Sequence, residues 1–93
     1  MGNATDAGRV RLTVPADDGM IDVVRAAVRA LCARVGLIDA DVEATRNAVG
    51  DAFLDLVSLG GADQVVLEAD VTDFDLAIAL RAGDEVRRLE ARR

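Results

Sequence analysis

Residues 9–14 alternate strictly, with Val10, Leu12 and Val14 on one side and Arg9, Arg11 and Thr13 on the other, until Pro15 closes the run. A period of two sets one side of a strand against a core and leaves the other in water. The rhythm then changes. Across 18–35, Met20, Val24, Ala27, Val28, Leu31 and Val35 recur at three and four while Asp22, Arg25 and Arg29 share another face, which predicts an amphipathic helix. Asp17 or Asp18 can accept from the free amides at its start, and Gly36 can take the left-handed conformation at its end. A second helix is predicted from Asp39, read as an N-cap, to about Ser58, with Asp41 and Glu43 facing the positive end of its dipole and Gly60-Gly61 stopping it. Period two returns in QVVLEADV (Val65, Leu67, Ala69, Val71) and in FDLAIALR (Phe74, Leu76, Ile78, Leu80). Thr72-Asp73 between them predicts a tight antiparallel hairpin.

The order strand, helix, helix, strand, strand specifies an α/β (α+β) two-layer sandwich, β-α-α-β-β, with two helices packed on one face of a small sheet. This single domain is expected over 9–84. Residues 1–8, small and polar, are expected to fray as a disordered N-terminus. After Gly83, the string DEVRRLEARR predicts a short basic helix with Val86 and Leu89 inward, or a disordered tail, over 85–93.

At 93 residues the chain has room for one domain, which buries only about 60–65% of the surface of the unfolded chain. No apolar run approaches the roughly 20 residues of a membrane span. The start, MGNATDAGRV, lacks the apolar stretch and cleavage site of a secretory signal, so the expected compartment is cytoplasmic. Cys32 has no partner cysteine and lies on an apolar stripe, which reads as core. The absence of histidine excludes Ser-His-Asp and Cys-His catalysis and histidine-held metals. A formal charge of −6 argues against a nucleic-acid partner, whose phosphates call for clustered Lys and Arg.

One pair of acids stands out. Asp51 and Asp55 in AVGDAFLDLV lie one turn apart on the polar face of the second helix, a spacing that suits a metal site, a catalytic remnant or a plain solvated surface. As like charges they call for a cation between them, with Arg46 and Arg81 as the candidates.

The string RLTVPADDGMIDVVRAAVRALCARVGL, followed by an acid-capped helix, resembles the N-terminal half of the anti-sigma-factor serine kinases, members of the histidine-kinase-like (GHKL) ATPases of bacteria. The resemblance runs from residue 9 to about 84. In that family an E-A-x-x-N box supplies the activating glutamate and a magnesium-holding asparagine; here the matching string is Asp51-Ala52-Phe53-Leu54-Asp55. The resemblance therefore places Asp51, one methylene shorter, at the glutamate and Asp55, an acid in place of an amide, at the asparagine. Both still offer oxygen to magnesium. The family's D-x-G-x-G motif matches ALRAGDE, with Arg81 at the adenine-binding aspartate, Gly83 kept and Glu85 at the second glycine. Arginine carries no acceptor, so it cannot make that adenine contact. The family's lid and last strands have no counterpart before Arg93. These departures imply a degenerate nucleotide pocket, a pseudo-ATPase with no kinase activity and no cofactor; the alternative is a residual Mg/ATP binder using Asp51, Asp55, Arg81 and Gly83.

The resemblance then leaves the family's other activity, contact with proteins. It implies a non-catalytic regulatory module acting on transcription through a sigma factor or an anti-sigma antagonist, and forming a homodimer. Arg11, Arg25 and Arg29 are the candidate partner-binding residues, with a solvated helix face as the plain alternative for the last two.

Overall fold

Each change of rhythm in the sequence becomes a change of element. The computed structural model describes residues 8–93 and runs β1 (Arg9–Pro15), a 3₁₀ turn (Asp18–Met20), α1 (Ile21–Val35), α2 (Asp39–Leu59), β2 (Gln64–Val71), β3 (Asp75–Ala82) and β4 (Glu85–Arg92). The expected frayed segment 1–8 falls outside the described residues except for Gly8, whose carbonyl accepts from Val71 N at 2.7 Å.

The strands form one antiparallel sheet in the order β1-β2-β3-β4. The inward positions of the alternating runs (Val14, Val65, Leu67, Ala69, Leu76, Ile78 and Leu80) join Val24, Val28, Leu31, Cys32, Val35, Val49, Phe53 and Leu56 of the helices in one core. Both helices therefore cover the same face, and the α+β two-layer sandwich stands. The opposite face of the sheet is open. Cys32 is fully buried, and that burial pushes its thiol pKa up against the smaller opposing effect of a hydrogen bond with Thr45.

The main correction lies at 85–93, which is neither helix nor tail. Gly83 turns the chain at φ +60 and β4 pairs along β3, with Ile78 opposite Leu89 and Leu80 opposite Arg87. A helix would have put Val86 and Leu89 on one side; the strand sends Leu89 and Ala91 toward the core and Val86 to the open face. Nine residues carry little helical stability of their own, whereas the unpaired edge of β3 offers them a full ladder of hydrogen bonds.

Smaller corrections concern caps. Asp39 is the first helical residue, and Ile38 precedes it without a side-chain cap. Asp17 caps the 3₁₀ turn, accepting from Gly19 N at 3.0 Å, while Gly36 (φ 83) and Gly60 (φ 69) end the two helices in the left-handed region. Phe74 does not continue the inward row of β3. It is 57% exposed, with the Arg93 guanidinium 5.2 Å from its ring centroid.

The hydrogen bonds bounding the sheet fix which backbone groups face outward. Ala16 N donates to Asp63 O and Val71 N to Gly8 O, so Val10, Leu12 and Val14 aim their backbone groups at β2. Arg9, Arg11, Thr13 and Pro15 consequently face outward from the β1 edge. Proline at that position costs no ladder bond and removes one outward donor.

Candidate functional site

The two acids of α2 lie on its exposed side, as their spacing requires. Asp55 has a cation, but a different one from either candidate. Arg87 of β4 donates from Nη2 to Asp55 Oδ2 at 2.9 Å and from Nη1 to Glu85 Oε1 at 3.1 Å. These bonds, Glu85 first and then Asp55, hold the Arg87 pKa above its ordinary value. Register explains the assignment: opposite Leu80, Arg87 projects from the helix-covered face, while Arg81, opposite Val86, projects from the open face. Arg81 lies 3.6 Å from Glu68 there, so the sheet separates it from Asp51 and Asp55. Arg46 is engaged on its own helix, 2.7 Å from Glu43.

The positions carried over from the nucleotide motifs are thus dispersed. Asp51 and Asp55 occupy a helix flank, Arg81 the far face of the sheet, and Gly83 the β3–β4 turn, where its left-handed backbone serves the hairpin. The residues present do not assemble the magnesium and adenine contacts that the family motif requires.

The open face holds Arg11, 3.2 Å from Glu68, which it shares with Arg81, and Arg9, 3.1 Å from Asp70. Ala77 and Ala79 floor a shallow trough of about 350 Å³ between these longer side chains. Arg11 is therefore on the opposite side of the molecule from Arg25 and Arg29, and the expected trio of partner-binding arginines divides into two surfaces.

Arg25 and Arg29 belong to the outer groove between the helices. A Cβ on Gly50 of α2 would meet Arg25 Nε at 2.8 Å, so the Arg25 side chain crosses the helix pair over a gap that only glycine leaves. Cys32 against Thr45, further along, sets Arg29 level with the turn of α2 that carries Arg46. The Nε atoms of both Arg25 and Arg46 are buried without a hydrogen-bond partner. Beyond them the groove opens into a concavity of about 380 Å³ lined by Arg29, Ala33, Leu37, Asp39, Val42 and Glu43. Among the described residues, neither Arg25 nor Arg29 has a carboxylate within 4.0 Å. The pattern of the sequence singled out Arg25 and Arg29 on α1 and offered Arg46 only as a cation for Asp51 and Asp55, and it missed Arg87; Gly50, an unforced glycine inside a helix, was the available signal of close approach.

No protein-family model matches this chain, and no curated protein matches it. No helix among the described residues is long and apolar enough to cross a membrane.

Proposed function

We infer that the chain is a non-catalytic, cytoplasmic regulatory module of the anti-sigma type, which acts by holding an acidic stretch of a protein partner in the outer groove of its helix pair. The observation that carries this reading is a pair of arginines on that groove, Arg25 and Arg29, with no carboxylate of the described residues within 4.0 Å, although Asp39 and Glu43 also line it. In a chain with 17 acids and 11 arginines, Arg25 and Arg29 stand without an ion pair among the described residues. Two further features support the reading. Helices on one face of an antiparallel sheet are the arrangement that the resemblance to anti-sigma kinases calls for, and the bond from Arg87 occupies the acid at the family's magnesium position.

The test is direct binding of the purified chain to the sigma factors and anti-sigma antagonists of its own source, by calorimetry at low salt, with and without Mg-ATP. Nanomolar to micromolar binding that ignores nucleotide and weakens about tenfold or more in Arg25→Glu/Arg29→Glu is the expected result. Binding by none of these proteins, or equal binding by the double variant, overturns it. Phosphotransfer from ATP to a bound partner would instead establish the residual kinase.

A further inference from the structure

The geometry points to β4 as the seam of a homodimer, in which two copies pair edge to edge about a twofold axis through Leu89. Arg93 N donates to Phe74 O at 2.6 Å, which aims Arg87, Leu89 and Ala91, two-residue steps back along the strand, at β3. Val86, Arg88, Glu90 and Arg92 therefore direct their amides and carbonyls away from the sheet. The edge runs eight residues, Glu85–Arg92, without proline or glycine. It is a complete template for another strand.

The charges on this edge select the occupant and the register. On the open face Arg88 lies opposite Ala79 and Glu90 opposite Ala77, so neither meets a charge across the β3–β4 ladder. Neither has an ion pair among the described residues, and both are exposed. In an antiparallel pair centred on Leu89, Arg88 of each copy falls directly opposite Glu90 of the other, and the outward amides of both exchange hydrogen bonds. Moving the axis to Arg88 sets arginine against arginine; moving it to Glu90 sets glutamate against glutamate and Arg88 against Arg92. Opposite charges directly across a ladder stabilise it and like charges oppose it, so the sequence of β4 is complementary to itself in one register.

The helix-covered side agrees with this. Leu89, partly buried against the core, meets Leu89 of the second copy and continues the apolar layer across the seam. Arg87 meets Ala91, whose small side chain leaves Arg87 free to keep its bond to Asp55. The axis stands perpendicular to the sheet, so both helix pairs remain on one side and the outer grooves remain accessible.

Sedimentation equilibrium of the intact chain at low salt tests the seam. A dimer is expected, weakened at least about tenfold by Arg88→Glu or by Glu90→Arg alone, because each substitution creates two like-charge pairs by symmetry. An equimolar mixture of the two single variants restores complementarity and regains the dimer, as does R88E/E90R. Both positions are exposed, and circular dichroism of each variant checks that the fold is kept. A wild-type chain that stays monomeric up to about 0.5 mM overturns the proposal. So does a dimer indifferent to both substitutions, or a mixture that remains monomeric. A monomer that still binds an acidic partner through Arg25 and Arg29 removes the seam alone and leaves the proposed function standing.

Discussion

A methyl group at Gly50 would displace Arg25 Nε, which lies 2.8 Å from where that Cβ would be. The atom in the way is near the end of a long, flexible side chain, so it yields by swinging outward, and the helix gains the better backbone propensity of alanine. Gly50→Ala should therefore stabilise the protein by up to about 1 kcal/mol, read from the midpoint of urea unfolding, while reducing affinity for an acidic partner. A loss of stability would mean that the Arg25 stem contributes more packing than the glycine costs. At this scale Cys32 was legible, because an apolar stripe with no partner cysteine leaves it only the core, where it is fully buried. Arg81 was not. A strand residue's face depends on the register of its neighbours, and Arg87 answers Asp55 only because β4 exists.

Among the elements, α2 shows how differently neighbouring residues of one helix contribute. Phe53 is 0% exposed at the centre of the core, whereas Leu54 is 37% exposed on the next position. Phe53→Ala should cost about 3–5 kcal/mol, a large part of the stability available to a domain of this size, and Leu54→Ala well under about 1 kcal/mol. Chemical denaturation of the two variants side by side checks the contrast. The existence and type of β1, α1, α2, β2 and β3 followed from period and punctuation, because each has one face in the core and a turn signal at its end, although α1 begins at Ile21 behind a 3₁₀ turn and not at residue 18, and β3 begins at Asp75 and not at Phe74. The pattern in β4 was less telling: Val86 and Leu89 suit a helix, Leu89 and Ala91 suit a strand, and the choice rests on the free edge of β3. Phe74 reads as a strand residue by composition and lies outside β3 because Thr72 Oγ1 accepts from Asp75 N at 2.9 Å and closes the turn.

The whole molecule distributes its charge unevenly. Arg25 and Arg29 approach the outer groove of the helix pair without an ion pair among the described residues, and Arg46 pairs there with Glu43. On the open sheet face Arg9, Arg11, Arg81 and Arg92 are answered by Asp70, Glu68 and Asp75, and among the described residues Arg88 is not. Neither surface was visible as a surface in the sequence, since Arg11 and Arg25 are separated by the thickness of both layers and only the fold assigns them sides. Pro15 adds a consequence at this scale. An open sheet has two ends, and a protein with two equivalent sticky ends is a monomer unit for a fibre. Here the missing amide hydrogen of Pro15 makes the β1 end a poor acceptor of new strands. Pro15→Thr restores that donor, and light scattering of concentrated Pro15→Thr should rise with time where the wild type stays constant. One imino acid thus makes the two edges of the sheet inequivalent, so that the pairing proposed at β4 would give closed pairs in place of a fibre.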